Sequence, residues 1–344
     1  MNQTIGKYTF ILLCLFVGLF CSPSFSETLS RNSMSFESWI ERLRDLAFSK
    51  GISTDTLENT FIRNRQMDLS TKQYPPATQF APNAVHDHAV LSKLLIKQYA
   101  DRLFEISHLF GVDTEVIAAI TSMQNNLTKG FPAIDILINR SFANPKNLDL
   151  QNELIQALRI VDEGQISVQK LTSDGLGRLG RTAFKPSVFR DYAIDYDNDG
   201  QYDLWQNYAD IFASTANYLN SIGWQAGADW GFPVIIPEAF DMAQISLFQQ
   251  QSLKAWQALG VVKADGDELP LSKELGALTT LDGQYYLVLN NYFALLRWNR
   301  SPAYAYSIGQ IIDLLRPKPV PASDTSFDEE KLTTPITTLN LDPA

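Results

Sequence analysis

The sequence predicts a mainly helical protein that carries a small mixed α/β insertion. Apolar residues recur at helical spacing through most of the chain, for example at Val112, Val116, Ile120 and Met123, which is typical of helices that bury one face. Between residues 225 and 290, short β-branched and aromatic runs bounded by glycine and proline predict strands instead. The chain contains no internal repeat.

Helices and strands are predicted in order from this periodicity and from the residues that flank each run. Ser35 precedes the first apolar run and is its predicted N-cap. The predicted helices cover residues 36–47, 54–61, 90–110, 112–127, 153–163, 208–222, 240–259, 290–298 and 303–315. The predicted strands cover residues 230–237, 260–262 and 285–289.

Length and charge limit the classes of function. The chain has 344 residues, enough for one large domain or two modest ones. Its formal net charge is −10 and its isoelectric point is near 4.8. Because phosphate binding needs a basic face, nucleic acid is not expected to be the main partner.

The first 26 residues are predicted to be a signal peptide. Lys7 precedes an uncharged run over residues 8–20 that is too short to span a bilayer comfortably, and Ser24 and Ser26 fit signal-peptidase cleavage. We therefore expect an exported, periplasmic protein. The alternative is a retained leader, which would be the only contact with the membrane.

Both cysteines, Cys14 and Cys21, lie in this leader. The residues before Cys21 fit a lipidation signal poorly. After cleavage the chain would have no thiol, so neither disulfides nor cysteine catalysis are expected.

The predicted helix over residues 112–127 presents one polar side chain at its end. Asp113 is its predicted N-cap, and Gln124 follows a long apolar run in which no charged residue occurs after Glu115. Several glycan-cleaving folds place a catalytic acid in this way. Here the side chain is an amide.

Residues 117–137, IAAITSMQNNLTKGFPAIDIL, resemble the catalytic helix of the membrane-bound lytic murein transglycosylase B family, a lysozyme-like group. The family carries an Ile-Gly-Val-Glu-Thr type of run, followed by Lys-Phe-Pro-x-Ile-Asp, and residues 130–135 match the second part. The resemblance places Gln124 at the family's catalytic glutamate. It implies a lysozyme-like transglycosylase domain.

The loop at residues 173–187 resembles the family's Gly-Ala-Met-Gly-x-x-Gln-Phe-Met-Pro-Ser motif. The residues that the resemblance assigns to substrate binding in this loop are Gly177, Leu179, Gly180 and Phe184. Glycines permit close backbone approach to a sugar and unusual dihedral angles. Asp174 replaces a family serine, Ala183 replaces the glutamine that binds substrate, and Arg178, Arg181, Lys185 and Arg190 add positive charge.

Residues 297–304 resemble the family's Tyr-Asn-x-Ser-x-x-Tyr block. The resemblance implies that Asn299 and Tyr304 line the site and hold an acetamido or hydroxyl group, with Trp298 at the first aromatic position. The alternative is that these side chains only pack helix ends.

The resemblance implies a reaction that needs one carboxylic acid. The family glutamate protonates the glycosidic oxygen and then acts as base on the muramyl 6-hydroxyl, giving a 1,6-anhydro product. An amide has no titratable proton to give, and loss of general acid catalysis costs roughly 10²- to 10⁴-fold. Glu115 lies about 13.5 Å back along the helix, too far to replace it, so Asp174 is the candidate substitute acid.

Residues 195–203, DYDNDGQYD, match the start of a calcium-binding EF-hand loop, in which glycine makes the turn that lets alternate carboxylates converge. The resemblance implies a calcium loop here, closed by a later aspartate. The candidate ligands are Asp195, Asp197, Asp199, Gln201 and Asp210. The alternatives are weak, structural Ca²⁺ binding and a hydrogen-bonded acidic turn, and no cofactor is expected to take part in the chemistry.

His86 and His88 lie two residues apart and do not share a helical face, and the sequence offers no third metal ligand nearby. We therefore do not expect these two residues to bind a metal.

These patterns predict a signal peptide, a transglycosylase-like core and a small subdomain. The predicted segments are 1–26 (signal peptide), 27–89 (helical segment and irregular linker), 90–224 (lysozyme-like core), 225–290 (small α+β subdomain), 291–315 (closing helices) and 316–344 (disordered tail).

Two functions remain open from the sequence. One is a protein that binds peptidoglycan glycan strands, or scaffolds other cell-wall enzymes, without cleaving efficiently. The other is an active lytic transglycosylase with Asp174 or another carboxylate as the acid.

Overall fold

The computed structural model describes residues 35–65, 84–124, 130–270 and 272–316. The predicted signal peptide, most of the irregular linker and nearly all of the predicted tail lie outside these residues. The described part is mostly helical with a small sheet, which confirms the predicted fold class. No helix of the described part is both long enough and apolar enough to cross a membrane.

The described residues contain twelve α-helices and seven strands. The helices are α1 (Phe36–Ser49), α2 (Thr54–Arg65), α3 (Val85–Gln98), α4 (Ala100–Phe110), α5 (Thr114–Gln124), α6 (Ala133–Ala143), α7 (Leu148–Asp162), α8 (Pro186–Tyr192), α9 (Tyr208–Ser221), α10 (Leu253–Ala258), α11 (Asn290–Trp298) and α12 (Pro302–Leu315). The strands are β1 (Phe131–Pro132), β2 (Thr172–Ser173), β3 (Gly231–Ile235), β4 (Gln250–Ser252), β5 (Val262–Lys263), β6 (Leu275–Leu281) and β7 (Gln284–Val288).

Helix α5 is the central helix of the main core. Every residue from Val116 to Ser122 is buried, and a helix that is buried all round must be enclosed by other elements. Helices α3, α9 and α12 pack against it. Ala118 and Ala119, both fully buried, allow these neighbours to approach closely.

Asp113 ties the start of α5 to distant parts of the chain. Its carboxylate accepts hydrogen bonds from the Trp224 indole and from the Gly227 N–H, both at 2.9 Å. Arg316 lies 3.8 Å from the same carboxylate. The sequence suggested only a cap for this residue, because contacts more than a hundred residues away leave no local pattern.

A second core lies beside the first. It contains the buried faces of α1, α2, α6 and α7, together with Leu179 and Phe184 of the loop that precedes α8. Ser35 caps α1 as predicted, since its hydroxyl accepts a hydrogen bond from the Ser38 N–H. This core supports one wall of the cleft described below.

A third core lies under a five-stranded antiparallel sheet with the strand order β4-β6-β7-β3-β5. The prediction of a helix over residues 240–259 was wrong for most of its length. A single 3-10 turn at Met242–Gln244 and strand β4 come first, and only α10 is helical. Strand β4 pairs with β6, and Gln250 lies opposite Ala277. The sequence analysis missed this pairing. This long-range pairing overrides the local helical spacing.

The single helix predicted over residues 90–110 is two helices, α3 and α4, divided at Tyr99. The Tyr99 ring stacks on Tyr208 at 4.9 Å between centroids and meets Phe212 edge-on at 5.5 Å. Aromatic contacts of this kind stabilise the position of the ring beyond simple burial. The break is therefore set by packing against α9.

Candidate functional site

Gln124 is the last residue of α5 and lies at the wall of a cleft. Its side chain is 7% exposed, and its Nε2 lies 3.4 Å from the Tyr304 hydroxyl, to which it donates. The apolar body of α5 thus delivers one amide to the cleft, as the sequence predicted. Residues 125–129 lie outside the described residues.

Tyr304 lies in the first turn of α12 and is almost fully buried. Burial raises the pKa of its phenol, while hydrogen bonds from Gln124 and Trp298 and the nearby charge of Arg178 oppose that rise. The phenol is therefore neutral near pH 7. It accepts from the Gln124 amide and fixes the position of that side chain.

The cleft has a volume of about 380 Å³. Its lining includes Thr182, Ala183 and Phe184 from the loop before α8, and Trp298 and Asn299 at the end of α11. Asn299 therefore lies where the resemblance implied. Phe184 contributes a buried ring that packs 5.4 Å from the Trp298 ring.

Tyr218 and Glu153 are among the cleft residues that the sequence analysis missed. Tyr218 of α9 lines the cleft, with its ring 5.4 Å from Phe184 and 5.2 Å from Trp298. Glu153 of α7 also lines it. Each lies within an ordinary amphipathic helix, so no local motif distinguishes it from a residue on a solvated face.

The Glu153 carboxylate is held by the start of α8. One oxygen accepts from the Ser187 N–H at 2.9 Å and the other from the Ser187 hydroxyl at 2.8 Å. A carboxylate at a helix N-terminus satisfies free N–H groups and suits the helix dipole. Glu153 is thus both a cleft carboxylate and a cap for α8.

Asp174, the predicted substitute acid, is buried behind Arg178. Its Oδ2 accepts from Arg178 Nε at 2.7 Å and lies 2.6 Å from Nη2, while its Oδ1 accepts from the Leu176 and Arg178 N–H groups at 2.9 Å. Charge-assisted, bidentate pairing of this kind is among the stronger side-chain interactions. Among the described residues Arg178 lines the cleft and Asp174 does not.

Leu179, Gly177 and Gly180, which the resemblance assigned to substrate binding, are not among the described residues that line this cleft. Leu179 is fully buried in the second core. A side chain on Gly177 would meet Leu137, and one on Gly180 would lie 2.5 Å from the Leu204 carbonyl oxygen. Both glycines have positive φ, so they allow the loop to fold tightly against Leu137 and Leu204.

The loop instead presents Ala183 to the cleft in a left-handed conformation, with a φ of 50°. Leu179 and Phe184 lie on either side of it along the chain. The Leu179 N–H donates to the Phe184 carbonyl at 2.7 Å, and the Phe184 N–H donates to the Leu179 carbonyl at 3.1 Å. Arg140 of α6 donates to the Leu176 carbonyl and braces the same loop. The loop is therefore fixed by the protein before any ligand arrives.

Three of the five predicted metal ligands converge. Carboxylate oxygens of Asp195, Asp197 and Asp210 all lie within 4.8 Å of one another. The Asp199 carboxylate accepts from the Gln201 N–H at 2.7 Å. The Gln201 side-chain oxygen accepts from the Lys170 ammonium at 3.3 Å. The side chains of Asp199 and Gln201 are therefore engaged elsewhere.

Asp210 is the buried member of this group, with no exposed surface. Its two oxygens accept from the Tyr196 and Asp203 N–H groups at 2.8 and 2.9 Å. Burial, reinforced by the charges of Asp197 and Asp195, raises the pKa of Asp210 to about 6, although those N–H bonds oppose the rise. Hard oxygen ligands with uncompensated negative charge fit a calcium ion.

His88 is buried in α3, and desolvation lowers the pKa of its imidazole. His86 is exposed on the same helix. Among the described residues, neither belongs to a group of side chains that could hold a metal.

Comparison with known proteins matches residues 35–313 to the family described as transglycosylase SLT domain. The chain is 26% identical over 238 residues to the membrane-bound lytic murein transglycosylase B of Escherichia coli strain K12. That alignment covers 64% of this chain, and the chain spans only 62% of the length of that curated relative.

Solved structures resemble this protein over most of its chain. SltB3 of Pseudomonas aeruginosa in complex with NAG-anhNAM-pentapeptide superposes with a TM-score of 0.71 at 30% identity, over 82% of this chain and 80% of the other. The Escherichia coli lytic transglycosylase Slt35 in complex with calcium gives a TM-score of 0.57 at 23% identity, over 80% and 82%. The second likeness concerns the fold alone.

Proposed function

Because the chain belongs to the transglycosylase SLT-domain family, we propose that its cleft binds the glycan strands of peptidoglycan and cleaves them inefficiently. The observation that carries this proposal is the amide of Gln124 at the buried end of α5. The resemblance aligns this position with the family's catalytic glutamate. SltB3, a similar protein, is itself seen with NAG-NAM-pentapeptide.

Gln124 can bind a glycan but cannot protonate it. Its amide offers N–H donors and a carbonyl acceptor, so it can hold a glycosidic oxygen or an acetamido group. The Gln124 amide nitrogen donates to the Tyr304 hydroxyl at 3.4 Å, a long hydrogen bond that a closer partner could replace. Cleavage needs a proton at the leaving oxygen, and the amide has none to give near neutral pH.

The nearby carboxylates have other roles. Asp174 is ion-paired to Arg178, and Glu153 accepts two hydrogen bonds from Ser187. A general acid must be free to donate a proton to the leaving oxygen. Both carboxylates already accept hydrogen bonds from the protein. This arrangement supports binding without efficient cleavage.

We assign the protein to the extracytoplasmic space, where peptidoglycan lies. This assignment follows from the family and from the predicted signal peptide. We also propose that Asp195, Asp197 and Asp210 hold a structural Ca²⁺ ion. Their convergence within 4.8 Å supports it, and the ion would stabilise the turn before α9 without taking part in the chemistry.

The second candidate function is an active lytic transglycosylase. One observation favours it: Glu153 is a carboxylate in the lining of the same cleft as Gln124. If Glu153 or Asp174 supplies the proton, the protein would form 1,6-anhydromuropeptides despite the amide at position 124.

Digestion of purified sacculi separates the two functions. We expect the unmodified protein to sediment with sacculi while releasing 1,6-anhydromuropeptides at least about 10²-fold more slowly than Gln124→Glu, which regains a titratable acid. Release is measured by chromatography and mass spectrometry. Gln124→Ala is the control that lacks both the acid and the amide.

The opposite pattern would establish the second candidate. Brisk release by the unmodified protein that persists in Gln124→Ala and disappears in Glu153→Gln or Asp174→Asn would show that the acid has moved. Failure to sediment with sacculi would overturn the binding function itself.

A further inference from the structure

A buried polar seam, formed by His88, Ser92 and Ser122, joins α3 to the last turn of α5. The three residues are at most 8% exposed. The Ser92 hydroxyl donates to the His88 carbonyl at 2.7 Å and lies 3.0 Å from the Ser122 hydroxyl. Ser122 in turn donates to the Ala119 carbonyl at 2.8 Å. Because buried polar groups have no water to replace a lost partner, these bonds hold the two helices in one relative position.

The His88 ring is hydrogen-bonded to the backbone of Ser122. Burial lowers the pKa of the imidazole, so the ring is neutral at pH 7 and carries one N–H donor. The backbone group that accepts from this donor is the Ser122 carbonyl. It is one of the last four carbonyls of α5, which have no N–H partner within the helix. His88 therefore supplies a partner that the helix itself lacks.

Ser122 lies two residues before Gln124, whose side chain lines the cleft. Residues two apart point to nearly opposite sides of an α-helix, because one turn takes about 3.6 residues. The seam therefore holds the last turn from the side of α3, while the Gln124 amide faces the cleft and donates to Tyr304. Any movement of that turn would carry the amide with it.

We propose that His88 is a positioning residue for the cleft. Its ring N–H fixes the last turn of α5 and, through that turn, the direction of the Gln124 amide that holds a glycan. This inference rests on the proposed glycan-binding function and adds a residue to the machinery of that site. A purely structural histidine would contribute to stability alone, so the two roles predict different measurements.

Calorimetry with peptide-free glycan strands prepared from sacculi measures the effect on binding. His88→Leu keeps much of the side-chain volume and removes the N–H donor. We expect it to weaken binding about three- to tenfold, the range that one net hydrogen bond corresponds to. His88→Gln keeps an N–H donor and should bind within about twofold of the unmodified protein. Equal weakening by both substitutions would overturn the role of the N–H group.

A double-mutant cycle tests whether the effect runs through Gln124. Gln124→Ala removes the amide, so adding His88→Leu to it should change the affinity by less than about twofold. If His88→Leu weakens binding as much in the Gln124→Ala background as in the unmodified protein, the two residues are independent and the inference is overturned.

The side-chain amide resonances of Gln124 report its position directly. In proton–nitrogen NMR spectra they are identified by their absence from Gln124→Ala. His88→Leu should shift them, and His88→Gln should return them toward their original positions.

Leu103→Ala is the control for a loss of stability alone. Leu103 of α4 is fully buried in the same core as α5 and lies outside the cleft lining. The substitution leaves a cavity and destabilises the protein, but the Gln124 resonances and the affinity for glycan should stay unchanged. Equal changes in Leu103→Ala and His88→Leu would reduce His88 to a structural residue and overturn the inference.

The outcomes also separate this inference from the function on which it rests. If the unmodified protein binds glycan strands and neither the affinity nor the Gln124 resonances respond to His88→Leu, glycan binding stands and the positioning role is overturned. If no glycan is bound while the resonances still follow His88, the proposed function is overturned and the link between His88 and Gln124 stands.

Discussion

Two buried aspartates, Asp174 in the loop before α8 and Asp210 in the first turn of α9, have opposite kinds of charge beside them. Asp174 is 6% exposed and Asp210 is fully buried. Asp174 meets a guanidinium, since Arg178 contacts it through two nitrogens. Asp210 meets two further carboxylates, Asp195 and Asp197.

The charges around each aspartate, more than its burial, indicate its role. Backbone N–H groups donate to both side chains, but only Asp174 has an opposite charge to offset desolvation. A buried carboxylate that is already paired belongs to the framework of its loop. One that is surrounded by like charge is the arrangement that the proposed calcium site needs.

The largest effect is expected where the loop that contains Asp174 and Gly180 packs against Leu204, shortly before α9. Gly180 has a φ of 60° and faces the Leu204 carbonyl, so Gly180→Ala adds a backbone clash to a left-handed conformation. We expect a loss of about 2 to 5 kcal/mol in unfolding free energy, measured with urea. Gly200 has a φ of 84° with open space around it, and Gly200→Ala should cost only about 1 to 2 kcal/mol. Equal losses would show that conformation alone, without packing, sets the requirement at Gly180.

The next effect tests the pairing of Asp174. Arg178→Gln leaves a buried carboxylate without its cation and should lower the unfolding free energy by about 2 to 4 kcal/mol, less than for a fully buried pair because Arg178 is partly exposed. In a double-mutant cycle, adding Asp174→Asn should recover part of that loss. A loss below about 0.5 kcal/mol in the single variant would mean that the pair does not hold the loop.

The smallest effect tests the carboxylate group of Asp210 through pH. Its folded pKa of about 6 lies above that of an unfolded aspartate, so the folded state binds more protons and stability falls as pH rises from about 4 to about 6. With chelator present, Asp210→Asn leaves one of the Tyr196 and Asp203 N–H groups without its acceptor. The variant should therefore be the less stable protein at about pH 4, and the difference should shift in its favour by about 2 kcal/mol between those pH values. Thermal unfolding at several pH values measures the difference.

Calcium should reverse the sign of that comparison. With excess Ca²⁺ at pH 7 the unmodified protein gains stability, about 2.7 kcal/mol at a hundred times Kd, and Asp210→Asn gains little. Asp191→Asn on the exposed face of α8 is the matched control and should follow the unmodified protein. No response to Ca²⁺ in the unmodified protein would identify the group as a hydrogen-bonded acidic turn.

Local sequence signals were enough to find most helices and the elements of the cleft. The periodicity around α5 predicted a buried helix ending in Gln124, and Ser35 was correctly identified as a cap. The residues that the motifs matched at Asn299 and Phe184 do line the cleft. These signals succeed because a cap, an apolar face and a short motif are properties of adjacent residues.

The sequence by itself determined the fold class, the amide at the end of α5 and the run of acidic residues that begins at Asp195. Only the tertiary structure decided that Arg178 pairs with Asp174, that Leu137 and Leu204 fill the space beside Gly177 and Gly180, and that Glu153 lines the cleft. The same holds for strand β4, which exists because β6 pairs with it. The physical reason is that a side chain's charge environment and free space are set by neighbours distant in the chain, and periodicity carries no information about them.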